Sequence, residues 1–176
     1  MLIGTKQQGV TLLELLITIV VLTIVATIGV PGLFDHMDKR RIDGAAHTFL
    51  SDVQYARAEA LKQSETIYIE VDTADWCYGI TDSASAATCD CSAGTGCTVN
   101  GVDHYTSSDS FPNVTFASSL AGSTITFDPV RGTIGPSGSL FFSSTKGTSA
   151  LRVILSPLGR AKLCATSGSS WGYNEC

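Results

Sequence analysis

An apolar run near the start of the chain places the strongest limit on its fold. Residues 10–30 form a stretch of 21 residues with a single charge, which is Glu14. About 20 apolar residues are enough for a helix to span a bilayer, so the run predicts a membrane helix. A cleaved secretory signal is the alternative, but its apolar region is usually only roughly 7–15 residues long. No small-x-small cleavage site closes this run either.

The carboxylate of Glu14 points to a second role for the same run. An acidic group inside a bilayer costs about 2.5–3.5 kcal/mol on insertion scales, so a partner for it is expected. Cleavage after Gly9 would give Val10 a free α-amino group, one helical turn from Glu14. Between neighbouring chains, this amine and Glu14 would neutralise each other and fix the axial stagger. The residues therefore predict a device for assembly.

The cysteines indicate the compartment. All six follow the apolar run, at Cys77, Cys89, Cys91, Cys97, Cys164 and Cys176. An even set beyond a membrane helix is typical of disulfides on the oxidising side of the membrane. A metal site is the alternative, but the set lacks the paired CxxC spacing of zinc sites, and only His104 lies nearby in sequence. Disulfides are therefore expected, with a connectivity that counting leaves open.

Charge is divided unevenly along the chain. The net charge of −5 does not suggest a polycation that binds nucleic acid throughout. From Gln63 to Val130 there are nine acidic residues and no Lys or Arg. From Arg131 onwards the balance reverses, because only Glu175 opposes five basic residues: Arg131, Lys146, Arg152, Arg160 and Lys162.

Hydrophobic periodicity divides the rest of the chain into a helix and a strand-rich part. After the apolar run, apolar residues recur every three or four positions to about residue 63, which predicts an amphipathic helix. From Ser64 the period changes to two in "ETIYIEVD", which predicts a strand. Five further short strands are predicted at "NVTFA", "STITFD", "LFFSS", "LRVILS" and "GRAKLC". The polar stretch from Thr81 to Ser110 is expected to be a long loop held by disulfides.

The start of the chain resembles a known signature. Gly9-Val10-Thr11-Leu12-Leu13-Glu14 is similar to the prepilin motif of type IV pilins and type II secretion pseudopilins, usually written G-F-T-L-x-E. The resemblance implies cleavage between Gly9 and Val10 by a prepilin peptidase, followed by N-methylation of Val10. It also implies that Glu14 contacts the N-terminus of the neighbouring subunit. Val10 departs from the motif, in which Phe is usual.

Three later segments narrow the resemblance to one branch. "YARAEALKQ", "ITFDPVRGTIGPSGSLFF" and "VILSPLGRAKLC" resemble elements of the GspH/FimT branch of pseudopilins and minor pilins. The branch implies an α+β pilin fold, with a long N-terminal helix on an antiparallel sheet. The expected parts are a leader at 1–9, a transmembrane or filament-core helix at 10–31, and a periplasmic domain at 32–176. The implied location is the inner membrane, with a single span and assembly into a pilus or pseudopilus.

The resemblance also suggests one disulfide. Cys164 and Cys176 bracket a loop like the disulfide-closed end of many type IV pilins. Cys77, Cys89, Cys91 and Cys97 would then pair among themselves and pin the polar stretch to a strand around Tyr78. A bond between Cys89 and Cys91 is disfavoured, because so small a ring would be strained.

No catalytic arrangement can be argued from the sequence. His36, His47 and His104 are scattered, and "GTIGPSG" has neither the Lys-Ser/Thr ending nor the following helix of a phosphate loop. Four aspartates resemble a calcium site only loosely, because they lack the spacing of a calcium loop: Asp72, Asp75, Asp82 and Asp90. We therefore expect neither enzymatic activity nor a cofactor or metal.

Two functions remain. In the first, the protein is a structural minor pilin or pseudopilin of a type IV pilus or type II secretion system, with other pilins, the prepilin peptidase and the inner membrane as partners. In the second, it is a DNA receptor for natural transformation, because some members of the branch bind DNA through a basic C-terminal G-R-x-R element. Here that element is Gly159-Arg160-Ala161-Lys162, and Arg131, Lys146 and Arg152 would extend the basic patch. Phosphate contacts of this kind need no base recognition.

Overall fold

One long helix and a set of short strands make up the computed structural model. It describes residues 9–83, 88–145, 150–166 and 172–176, without the side chains of residues 28–35. The helix, α1, spans Leu12–Gln63. The strands in chain order are β1 Ile67–Asp72, β2 Cys77–Thr81, β3 Thr98–Val99, β4 Val102–Asp103, β5 Tyr105–Ser107, β6 Val114–Ser118, β7 Thr124–Phe127, β8 Ile134–Gly135, β9 Gly138–Ser144, β10 Ala150–Leu155 and β11 Ala161–Ala165. The expected α+β class is confirmed.

The chain forms two compact units, Met1–Met37 and Asp38–Cys176. In the first unit the described residues are helical from Leu12, and their apolar side chains are exposed. Within the part of the chain that the structure describes, no helix has the length and apolarity needed to cross a membrane.

Two antiparallel sheets form the body of the second unit. The first has the order β5-β2-β1-β7-β8, and the second has the order β11-β10-β9-β6. Strands β3 and β4 form a small separate hairpin. The expectation of a single sheet was therefore too simple. The strands of the second half of the chain pair mainly with one another and leave β7 and β8 to the first sheet.

The second half of α1 packs on both sheets. One helix face is buried at intervals of three or four residues, from Ile42 through Phe49 to Ala60. The Phe49 ring contacts Tyr78 of β2 edge-on, with centroids 5.0 Å apart, and Phe142 of β9 at 6.0 Å. A single side chain of the helix therefore touches both sheets, and the three layers share one core.

The polar stretch between Thr81 and Ser110 is more ordered than expected. It contains the β3–β4 hairpin, strand β5 and a short 3-10 helix at Ser108–Ser110. Strand β2, just before it, is the strand expected around Tyr78, although all five of its residues are buried and a period-two pattern is absent. Burial on both faces removes the alternation by which a strand is recognised.

Candidate functional site

The Gly9–Val10 bond lies ahead of the helix. Residues 9–11 are not helical, and Gly9 and Val10 are exposed. Thr11 caps the helix, because its hydroxyl accepts a hydrogen bond from the Glu14 amide at 3.2 Å and its carbonyl accepts one from the Leu15 amide at 3.1 Å. The bond expected to be cut is therefore accessible, and Glu14 stands exposed in the first helical turn.

The helix that follows is apolar on all sides. Large apolar residues are exposed in every turn: Leu12, Leu13, Leu15, Leu16, Ile17, Ile19, Val20, Val21, Leu22, Ile24 and Val25. The hydroxyls of Thr18, Thr23 and Thr27 donate to the carbonyls three residues earlier, at 2.7–2.8 Å. Their polar groups are thus satisfied within the helix. The apolar side chains of this part of the helix are therefore left uncovered within the described structure.

Two turns of the second unit lie next to each other. The first turn, 128–132, follows β7, and the second, 156–160, follows β10. The Arg57 Nε of α1 donates to the Gly132 carbonyl at 3.0 Å, and the Ile134 amide donates to the Pro157 carbonyl at 3.0 Å. We call these two turns, with Arg57, the two-turn end.

Local hydrogen bonds make both turns rigid. The Asp128 carboxylate accepts from the amides of Arg131, at 2.6 Å, and Val130, at 2.8 Å, and these bonds lower the pKa of Asp128. In the second turn, the Ser156 amide donates to the Arg160 carbonyl at 2.8 Å. Gly159 has φ +79° and packs directly on the Gly132 carbonyl, so no side chain would fit there.

The basic residues singled out in the sequence do not all lie together. Arg131 and Arg160 are exposed on adjoining turns, and Lys162 is exposed on β11. Arg152 lies on the neighbouring strand β10, half-buried, with its guanidinium over the Phe141 ring at 5.2 Å. Lys146 lies outside the described residues. The patch expected from the sequence is therefore three exposed cations, while Arg152 is held against an aromatic ring.

Three exposed aliphatic residues, two in the two-turn end and one beside it, were missed from the sequence. Val130 is 82% exposed and Leu158 is 68% exposed, one on each turn, and Leu61 of α1 is 43% exposed beside Gly132. In each turn an aliphatic residue directly follows a Pro, and an Arg follows the aliphatic residue one or two positions later, as in "PVR" and "PLGR". This repeated pattern is the signal that could have identified them.

An acidic cleft lies where β1 ends, at Asp72, whereas the two-turn end lies near the first residue of this strand, Ile67. It has a volume of about 630 Å³ and is lined by four carboxylates: Glu70, Asp72, Asp75 and Asp90. Asp72 and Asp90 each cap their own turn by accepting backbone amides at 2.8–3.2 Å. Bonds from Ala93 and Ser92 lower the pKa of Asp90. Among the described residues, no cluster of three or more His, Cys, Asp or Glu side chains is arranged to hold a metal ion.

The six cysteines form three disulfides: Cys77–Cys91, Cys89–Cys97 and Cys164–Cys176. The first joins the polar stretch to Cys77 of β2, and the second closes a loop within the polar stretch itself. Gly79 of β2 lies directly under Cys89 and Cys97, where a Cβ atom would collide with both sulfurs. The four middle cysteines thus pair among themselves and leave Cys89 and Cys91 unbonded to each other, in agreement with the expectation from the sequence.

The third disulfide holds the last residues of the chain near α1. Tyr173 donates to the Asp43 carboxylate at 2.5 Å, and its hydroxyl lies 2.8 Å from Nε2 of His47. The hydrogen bond to Asp43, together with burial, raises the pKa of Tyr173 to about 12. Glu175 adds a bridge to Ala165 at the end of β11. His47, which is exposed on α1, therefore has a tyrosine partner.

Family comparisons agree with this combination of an apolar helix, a Glu in the first turn of that helix and a two-sheet body. Residues 4–30 match the prokaryotic N-terminal methylation motif. Residues 45–159, more than half of the chain, match the family described as type II transport protein GspH. The chain belongs to the GspH family. No curated protein matches it.

Solved structures from two machines share the fold. The type IV minor pilin FimU of Pseudomonas aeruginosa superimposes with a TM-score of 0.53 at 20% identity, over 75% of this chain and 97% of that protein. The minor pseudopilin EpsH of the Vibrio cholerae type 2 secretion system gives a TM-score of 0.55 at 12% identity, over 71% and 97% of the two chains. At these identities the likeness concerns the fold alone.

Proposed function

We propose that this protein is a structural minor subunit of a type IV pilus or of a type II secretion pseudopilus. It is made with a leader at 1–9, held in the inner membrane by 10–31, and exposes 32–176 to the periplasm. A prepilin peptidase cuts between Gly9 and Val10, and Val10 is then N-methylated. The observation that carries the proposal is an all-round apolar helix whose first turn holds an exposed Glu14, directly after an accessible Gly9–Val10 bond.

Glu14 supplies the register in this proposal. The apolar helix can slide along a neighbouring apolar helix with little change in free energy, because such contacts are not directional. The Val10 amine of an incoming subunit is a cation, and pairing it with Glu14 removes two uncompensated charges from an apolar environment. Only one axial offset achieves this, so the pair selects one stagger.

Processing is the first test. The protein is expressed with its cognate peptidase, extracted with detergent and analysed by intact mass spectrometry. We expect a mature chain that begins at Val10 and carries one added methyl group. A chain that keeps Met1, or one that begins after residue 30, would contradict the proposal.

Assembly is the second test, with Glu14→Ala compared against Glu65→Ala. Both changes remove one exposed carboxylate, but Glu65 lies beyond the end of α1. We expect Glu14→Ala to insert in the membrane and to be much depleted from sheared filaments, with Glu65→Ala incorporated as the unchanged protein is. Equal recovery of both variants would remove the role assigned to Glu14. Loss of surface pili or of protein secretion in a deletion strain distinguishes the two machines.

DNA binding is the second candidate. The supporting observation is that Arg131, Arg160 and Lys162 are all exposed around the two-turn end and the adjoining strand β11. If these residues bind phosphates, duplex DNA should bind without sequence preference, and affinity should fall steeply with salt. Arg160→Ala and Lys162→Ala should each lower the salt slope by about one. Fluorescence anisotropy at two salt concentrations measures this, and no binding at low salt eliminates the candidate.

A further inference from the structure

The two-turn end exposes two aliphatic side chains and two arginines. Val130 and Leu158 are exposed to solvent on adjoining turns, and Leu61 lies beside Gly132 of the first turn. Arg131 and Arg160 flank the two aliphatic side chains, one on each turn. Arg is enriched at protein interfaces relative to the rest of the surface.

The two turns are held in place before any partner binds. Arg57 fixes the first turn through the Gly132 carbonyl, and the Asp128 carboxylate closes that turn. The Pro157 carbonyl of the second turn accepts a hydrogen bond from Ile134 of β8, the strand that follows the first turn. The surface therefore loses little conformational entropy when it binds, and this favours affinity.

The acidic cleft is its counterpart in charge. Strand β1 pairs Ile67 with Phe127 at the two-turn end and runs to Asp72 at the cleft, so the two sites lie at opposite ends of a strand about 17 Å long. One end carries the exposed cations Arg131 and Arg160. The other is concave and holds four carboxylates. No Lys or Arg occurs between Gln63 and Val130 to neutralise them.

We propose that the two-turn end docks into the acidic cleft of a second copy of this chain, head to tail. Arg131 and Arg160 would face the carboxylates of the cleft, and Leu158 and Val130 would be covered at the contact. The contact joins different surfaces of the two copies, so it can repeat along a row. This inference goes beyond the proposed function, because it concerns the Asp38–Cys176 unit and does not require processing or filament entry.

The exposed aliphatic pair favours a protein over DNA as the occupant. Phosphate neutralisation requires cations, and it gives no benefit to exposed Val and Leu side chains at the centre of a surface. Burial of these two side chains against another protein would contribute favourably. Among protein partners, the acidic cleft is a surface of matching charge on the molecule itself.

The test uses the full chain in detergent, with sedimentation velocity at low and high salt over a range of protein concentrations. The interface variant is Arg131→Glu with Arg160→Glu. The matched control is Lys39→Glu with Arg40→Glu, which makes the same charge change at two exposed positions on α1. Thermal unfolding of each variant verifies that its fold is intact.

We expect the unchanged protein to associate in a concentration-dependent way at low salt and less at high salt. The interface variant should associate at least about tenfold more weakly, while the control is unchanged. Asp75→Arg should also weaken association, and mixing it with the interface variant should restore mixed complexes. Val130→Ser with Leu158→Ser should weaken association without changing the charge.

Three outcomes would overturn the inference. The first is a monomer under every condition. The second is association that neither salt nor the interface variant changes, because this would place the contact in the apolar helix. The third is a variant that loses binding to duplex DNA but keeps its self-association, which would make the two-turn end a nucleic-acid surface. None of these outcomes bears on cleavage at Gly9, so the proposed function is tested separately.

Discussion

At the residue scale, the side-chain carboxyl group of Asp52 is unusual because its pKa is raised. Asp52 of α1 accepts a hydrogen bond from the Tyr78 hydroxyl at 2.8 Å, inside a small pocket that also contains His104. Burial raises the pKa of Asp52 above 3.8, although the Tyr78 bond and the nearby His104 act in the opposite direction. The Asp38–Cys176 unit therefore contains a group for which ionisation opposes folding.

The expected consequence is a pH-dependent effect of Asp52→Asn. A folded-state pKa above the unfolded value contributes stability that is complete below pH 3.8 and lost as pH rises through the folded-state value. Asparagine stays neutral and can still accept from Tyr78. Compared with the unchanged protein, the variant should have the higher free energy of unfolding at neutral pH, and the difference should disappear below pH 3.8. Urea unfolding at both pH values measures it.

Asp75→Asn is the matched control, because Asp75 is exposed. A variant at Asp52 that is less stable than the unchanged protein at neutral pH would contradict the prediction. Hydrogen bonds lower the pKa values of Glu59, Asp90 and Asp128, so these carboxylates contribute stability that is lost as pH falls. All three are present in every protein compared, so they do not change the difference between the variants.

Sequence reasoning was strongest where a residue acts through its immediate neighbours. Gly9, Thr11 and Glu14 could be recognised because they form a short motif of neighbouring residues, whereas the capping of the helix by Thr11 was not predicted. Val130 and Leu158 could not be recognised, because each is an ordinary turn residue until the fold sets the two turns side by side. Arg152 was expected to be a free cation, and its position over Phe141 depends on the β9–β10 register.

At the scale of elements, the third disulfide and Tyr173 fasten the end of the chain. Removing the bond with Cys164→Ala and Cys176→Ala opens a loop with a sequence separation of 12. The chain-entropy model gives a loss of about 3 kcal/mol for such a loop. Guanidinium unfolding should show this loss.

Tyr173→Phe is the comparison, because it keeps the disulfide and removes only the hydrogen bonds to Asp43 and His47. Its expected loss is about 1 kcal/mol. If the double cysteine variant were no less stable than Tyr173→Phe, the disulfide would contribute nothing beyond the hydrogen bonds.

The elements themselves differ in how far the sequence predicts them. The end of α1 near residue 63 and the strands β1, β6, β7, β9, β10 and β11 followed from periodicity. Strands β3, β4, β5 and β8 have only two or three residues, too few to show a period. Their pairing depends on disulfides and on long-range contacts that a local pattern does not contain.

At the scale of the whole molecule, Phe49 joins the layers of the core. Its ring contacts Tyr78 in one sheet and Phe142 in the other, and it is fully buried. Phe49→Ala should lower the free energy of unfolding by about 3–5 kcal/mol. Circular dichroism and tryptophan fluorescence should still follow one shared transition, because both sheets lose the same contact. Two separated transitions would mean that the sheets unfold independently.

The way in which the two turns are fixed has an evolutionary consequence. Their positions depend on main-chain carbonyls, those of Gly132 and Pro157, and on Arg57 and Asp128. Val130, Arg131, Leu158 and Arg160 point away from these bonds into solvent and take no part in the core. Substitutions at these four positions can accumulate by drift or selection without disturbing the scaffold. A lineage can therefore change its partner at this end, and two descendants with one fold can diverge in what they recognise.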